Sequence, residues 1–176
     1  MKFATSFFGA LALLFIFGQG LALADPPGDP TPVKQDHGEW FDKNGDPTYN
    51  IAKDGTVDWY TNVGFLQYGA NCLVCHGPDG LGSSYAPNLT ESFKRLSYTD
   101  VLGIVSGGKR DVSSSQDLVM PSFGTNKNVM CHIDQIYIYL RARSNDALGR
   151  GRPAKAIDKK PDGYAKLEDQ CFGTSQ

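Results

Sequence analysis

The stretch that most constrains this chain is "YGANCLVCHGPDGLG", Tyr68 to Gly82, where Cys72 and Cys75 stand two residues apart and His76 follows at once. Two thiols at that separation can add to the two vinyl groups of one porphyrin, and the adjacent imidazole then faces the iron. The spacing alone has rivals. A zinc site wants a second ligand pair of matching spacing, which the sequence lacks. A thioredoxin-type redox pair wants a strand–helix–strand setting, and the surroundings read as helical. Haem attachment is the reading that uses all three residues.

The first residues bear on where this chemistry takes place. Lys2 supplies a positive start, Phe7 to Phe17 is almost wholly apolar, and Ala22-Leu23-Ala24 is a small-x-small cleavage signal. Residues 1–24 therefore read as a secretory signal peptide. Gly18, Gln19 and Gly20 interrupt the apolar run, which is short of the ~20 residues a bilayer span needs. No later segment is apolar enough to span, so the expected mature protein is soluble, exported and free of membrane spans. The formal charge of −2 becomes −3 without Lys2. No basic patch of the kind that binds nucleic acid is visible.

Residues 25–58 are dense in Pro, Gly, Asp and Asn, and predict an irregular extension with one short hairpin. Asp42, Asn44 and Asp46 have the spacing that opens a calcium loop. Pro47 and Lys53 stand where such a loop needs Gly and Glu, so calcium is a possible cofactor without support and ordinary turns are expected. Three helices are predicted in residues 59–143. "WYTNVGFLQYGANC" places Gly64, Tyr68 and Cys72 on one face. "SYTDVLGIVSGG" has Ser97 or Thr99 as N-cap and ends at a glycine pair. "HIDQIYIYLRARS" carries Ile133, Ile136, Tyr137 and Leu140 on one stripe, with Arg141 and Arg143 in its last turn. Residues 144–176 read as a polar tail. Strand signals are scarce, and the expected fold class is all-α, around one covalent haem.

A metal-bound imidazole needs its other nitrogen held, and the carbonyl of Pro87 is the expected acceptor for His76; Pro87 as a plain turn residue is the alternative. Met120, Met130, His132 and His37 are the candidates for the far face of the iron. Met120 is favoured because Pro121 restricts it to an extended backbone on a loop between the second and third helices. Met130 reads more simply as packing, and His132 as a polar surface residue. His/Met ligation raises the potential and leaves no position for substrate, which makes an electron carrier rather than an enzyme. An open site would allow peroxide or gas chemistry. Cys131 and Cys171 remain, and an oxidising compartment favours a disulfide between them. Chain entropy puts its worth at roughly 4 kcal/mol. Two separate thiols or an intermolecular bridge are the alternatives.

Gly64 and Tyr68 before CxxCH, Pro87 after it, "MPSF" and an aromatic-bearing last helix together resemble class I cytochromes c. That resemblance implies crossed first and last helices, with Gly64 against Tyr137. "CLVCHGPDGLGSSYAPNL", "NKNVMC" and "IYIYLRARSNDALGRGRPAK" further resemble the cytochromes c(L) and related four-cysteine cytochromes of bacterial methanol metabolism. What this implies is a periplasmic acceptor of single electrons from a PQQ-dependent methanol dehydrogenase, with a smaller cytochrome c or an oxidase as the next carrier. The extra cysteine pair leans towards the branch serving lanthanide-dependent dehydrogenases.

Overall fold

A computed structural model describes residues 28–112 and 117–174; the expected signal peptide lies outside the described residues. Asp58 starts helix α1 (Trp59–Asn71), its carboxylate accepting from the Thr61 amide at 2.9 Å and the Thr61 hydroxyl at 2.6 Å. Short α2 (Leu73–His76) follows, then a 3₁₀ turn (Pro78–Gly80) and α3 (Leu89–Ser92), capped by Asn88. Helix α4 (Tyr98–Gly107) opens with a reciprocal cap between Ser97 and Asp100. After α5 (Lys127–Met130) comes α6 (Ile133–Ser144), in which Ile133 and every residue from Gln135 to Ser144 are buried. The single stripe expected for this helix is thus too narrow. α1 crosses one side of α6, and α3 and α4 pack on others.

The crossing rests on Gly64. A Cβ at this position would lie 1.9 Å from the Gln135 carbonyl oxygen and 2.8 Å from the Tyr139 Cβ. The aromatic facing Gly64 is therefore Tyr139, which also packs against Phe65 and Tyr68. Tyr137, the expected partner, points instead to Phe93 and Tyr98. Two residues along a helix turn the side chain by roughly 200°, so both aromatics cannot share a face.

Two small sheets depart from the all-α expectation. In the extension, β1 (Lys34–Asp36), β2 (Glu39–Phe41) and β3 (Pro47–Thr48) form an antiparallel sheet in that order. The β1–β2 turn has positive φ at both His37 (45°) and Gly38 (86°), the combination that matches strand twist in a two-residue hairpin. The second sheet pairs β4 (Lys109–Val112) with β5 (Asp117–Met120). Strands this short have no room for a period-two pattern, so turn chemistry and pairing create them rather than propensity.

The extension is fastened to the core by Arg141, which is 1% exposed. Its guanidinium donates to Asp42 Oδ2 at 2.6 Å, to the Pro47 carbonyl at 2.8 Å and to the Gly28 carbonyl at 3.2 Å. The other Asp42 oxygen accepts from the Asn44 and Asp46 amides at 2.8 and 3.0 Å. The calcium-like spacing thus makes an ordinary Asx turn whose charge is matched by an arginine. The tail from residue 144 crosses back to α1, with a parallel bridge between Val57 and Ala156, and ends in α7 (Tyr164–Phe172). Tyr164 closes an aromatic cluster with Trp59 and Tyr60. Among the described residues, no helix is long and apolar enough to cross a membrane.

Glu39, the first residue of β2, lies near the carboxyl groups of Asp134, Asp36 and Asp58. One of its oxygens is buried without a hydrogen-bond partner among the described residues. Burial, with Asp134, Asp36 and Asp58 adding repulsion, pushes its pKa from the ordinary 4.5 up to about 8.

Two outcomes follow from this packing. Gly64→Ala should destabilise the fold by about 2–3 kcal/mol in denaturant unfolding, since the clash with backbone outweighs the ~1 kcal/mol helix gain; an unchanged midpoint would refute the close crossing. Glu39 keeps its proton in the folded chain over a pH range where the unfolded chain releases it. Stability should therefore fall as pH rises from about 4.5 to about 8 and level off above. Glu39→Gln should flatten that slope, and a variant with the parent's pH profile would exclude Glu39 as its source.

Candidate functional site

The Cys72–His76 segment begins where α1 ends. Cys72 donates its amide to the Tyr68 carbonyl at 2.9 Å, and His76 donates its own to the Cys72 carbonyl at 2.9 Å. This tight turn puts Cys72, Cys75 and His76 on one short piece of helix. Tyr68, fully buried, donates its hydroxyl to the Gly77 carbonyl at 2.5 Å and ties α1 to the end of that piece. Gly77 has φ +69°, and a Cβ there would lie 2.4 Å from the Gly82 carbonyl oxygen. The "HGPDGLG" loop closes beneath the histidine because glycine stands at that contact.

His76 is buried, and its Nδ1 lies 3.1 Å from the Pro87 carbonyl oxygen. A carbonyl can only accept, so Nδ1 carries the proton and Nε2 keeps a free lone pair. Burial lowers the imidazole pKa, and the bond to Pro87 partly offsets it. The ring is then held in place with Nε2 turned away from the Pro87 bond. Pro87 itself is brought in by a second clasp: Ser83 donates its hydroxyl to the Cys75 carbonyl, and its amide to the Ala86 carbonyl at 3.0 Å.

Cys72 and Cys75 are both free thiols, half-buried and exposed respectively. Burial, then the neighbouring Cys75, pushes the Cys72 thiol up to about 11. A redox-active pair needs an easily formed thiolate, and Cys72 has the opposite setting. Leu73 and Val74 between them are 42% and 81% exposed, and Leu81 and Tyr85 on the following loop are 39% and 73% exposed. Free thiols, a fixed imidazole and an apolar rim fit a flat apolar macrocycle held through sulfur.

Met120 is not on a plain loop. It is half-buried at the end of β5, paired with Lys109. Gly108, at φ +77°, lets the hairpin close: a Cβ there would come within 2.8 Å of the Met120 carbonyl oxygen. Phe123 and Gly124 then donate their amides to the Val105 and Ser106 carbonyls at 3.0 Å each. The "MPSFG" segment is thus docked onto the end of α4. Both histidine candidates have other partners. His37, exposed, pairs with Asp36 at 2.8 Å. His132 is buried rather than superficial, with Nδ1 2.9 Å from the Asn128 carbonyl and Nε2 3.5 Å from Glu168. Met130 is half-buried beside the disulfide.

Cys131 and Cys171 are joined by a disulfide, with Cα atoms 5.7 Å apart. It fastens α7 beside the start of α6, where Lys127 also donates to the Phe172 carbonyl at 2.7 Å. Sequence reasoning missed Asp79, three residues beyond His76. It is buried and left-handed (φ 61°), and it accepts from the Gly151 amide at 2.8 Å and from Arg150 Nε at 3.1 Å. Burial alone would raise this carboxyl, but the Gly151 amide and the Arg150 and Arg143 guanidinium groups outweigh it and hold it low. No local pattern marks the role, because its partners lie about seventy residues away.

No family model matches the chain. Cytochrome c-553I of Paracoccus denitrificans is 51% identical over 144 residues, covering 82% of this chain; the chain spans 63% of that relative's length. Cytochrome c-555 of Methylococcus capsulatus is 36% identical over 105 residues, covering 59% of this chain and 79% of its own. The crystal structure of the c-type cytochrome XoxG from Methylobacterium extorquens AM1 superposes with a TM-score of 0.74 at 50% identity, covering 81% of this chain and 86% of the other. The chain belongs to the c-type cytochromes. A c-type cytochrome carries electrons on covalently bound haem c, and the apolar rim and free thiols at Cys72 and Cys75 fit that group.

Proposed function

We propose that this cytochrome is a periplasmic carrier with a single haem, accepting one electron at a time from a PQQ-dependent methanol dehydrogenase and passing it to a smaller cytochrome c or an oxidase. Bound haem c supplies a reversible one-electron iron couple. In this reading Cys72 and Cys75 form the thioether bonds, His76 ligates one face and Met120 the other. Pro87 steadies the His76 ring. The carrying observation is the carbonyl-anchored imidazole next to two unpaired thiols, in a protein whose other two cysteines are joined.

With both faces of the iron occupied, no position remains for a substrate, and the protein is a carrier rather than an enzyme. Residues 1–24 direct export, residues 25–58 form the anchored extension, residues 59–143 hold the haem, and residues 144–176 form the disulfide-linked tail. No calcium ion enters this scheme. The methanol dehydrogenase rests on the resemblance of "CLVCHGPDGLGSSYAPNL" and "NKNVMC" to the cytochromes c(L) and their four-cysteine relatives.

Met120→Ala should abolish the near-infrared sulfur-to-iron charge-transfer band and lower the reduction potential; survival of the band would remove Met120 from the ligand set. Mixing a reduced PQQ methanol dehydrogenase with the oxidised cytochrome should reduce the haem rapidly in stopped flow. Absence of reduction, with a known acceptor working in the same buffer, would eliminate that donor.

A further inference from the structure

The loop beneath the histidine turns left-handed at four positions: Gly77 (φ 69°), Asp79 (61°), Gly80 (75°) and Gly82 (86°). Glycine adopts that region freely, whereas an aspartate side chain resists it. A strained residue held in place points to a use for its side chain. Asp79 is 8% exposed, and one carboxylate oxygen accepts from the Gly151 amide at 2.8 Å, the other from Arg150 Nε at 3.1 Å. Its backbone carbonyl accepts from Arg143 Nε at 3.4 Å, in the last turn of α6. One residue thus ties the loop both to α6 and to the segment after it. The far end of the loop reaches the imidazole. Gly82 donates its amide to the His76 carbonyl at 2.8 Å. A Cβ on Gly82 would lie 2.8 Å from the Asn88 amide nitrogen and 3.0 Å from the Pro87 carbonyl carbon. Gly82 therefore packs directly on the peptide whose oxygen faces His76 Nδ1.

We infer that Asp79 is a positioning residue for the axial histidine: through the 77–82 loop it holds the Pro87 carbonyl against His76 Nδ1. The inference rests on His76 serving as an iron ligand, as proposed above, and adds the residue that fixes its ring. An imidazole whose Nδ1–H bond is held firm is a more basic ligand and favours ferric iron. Without Asp79 the loop keeps three glycines with left-handed freedom and loses the side-chain contacts that oppose its drift. The Pro87 carbonyl then withdraws, the Nδ1–H bond weakens and the reduction potential rises.

The test follows the His76 Nδ1 proton by NMR in the reduced, haem-loaded protein. Its exchange with deuterated solvent should speed up by at least about tenfold in Asp79→Gly, which removes the clasp without adding backbone strain. Asp79→Asn keeps an oxygen for the Gly151 amide but loses the charge, and its rate should fall between the two. The reduction potential should rise in the same order. Asp54→Asn, which removes a carboxylate paired with Lys155 further along the same segment, should change neither reading. Amides of α4 report global opening and should keep the parent's rates. Unchanged Nδ1 exchange in Asp79→Gly, or an acceleration shared equally with α4, would overturn the positioning role. A potential that rises while Nδ1 exchange stays at the parent's rate would also overturn it, leaving only an effect of charge. If the glycine variant does not fold, Asp79→Asn decides alone: faster Nδ1 exchange supports the role, and the parent's rate overturns it. Axial ligation has a mark of its own, since the His76 ring protons of the parent should lie far upfield under the porphyrin ring current. Without that shift the ligand reading fails, and Nδ1 exchange still judges whether Asp79 holds the His76–Pro87 bond.

Discussion

The structure depends on how closely two helices approach. Gly64 lets α1 lie directly on the backbone of α6 at Gln135, and nothing larger fits without moving one of them. That contact sets where α1 ends, and the end of α1 is the Cys72–His76 segment. A shift of the crossing would carry both thiols and the imidazole with it. The nearby Tyr68–Gly77 bond and the Phe65–Tyr139–Tyr68 packing transmit the same constraint into the loop below the histidine.

Around this frame, the chain uses long-range polar contacts where local structure is weak. Arg141 secures an extension made of two- and three-residue strands that would not persist alone. Burying both charges costs desolvation that offsets much of their attraction, so the contact fixes position more than it adds net stability. Asp79 does the same for the segment after α6, and the Cys131–Cys171 bond for α7. Each ties a stretch of low intrinsic order to the helical core.

Much of the helical frame was legible because it follows local rules. α1, α4 and α6 fall within a residue or so of their expected limits, with Ser97 as the cap of α4. A short hairpin in the extension was legible, but its third strand, the second sheet and α7 were not. Two-residue strands show no alternation, and the polar sequence of α7 becomes a helix through Tyr164, which buries against Trp59 and Tyr60. The partner of Gly64 was misassigned because α6 is buried almost all round, so apolar periodicity could not say which aromatic faces α1.

The candidate site divides in the same way. By itself the sequence determined the chemistry: two thiols, an imidazole and their spacing are covalent facts that no fold can alter. Tertiary structure alone decided much of the setting of these groups: the hairpin that ends at Met120, the buried state of His132 and the arginines held at Asp79 beyond the attachment turn. Those features depend on contacts between residues far apart in the chain. A linear pattern records which groups are available, whereas distance and burial arise only once the backbone has closed.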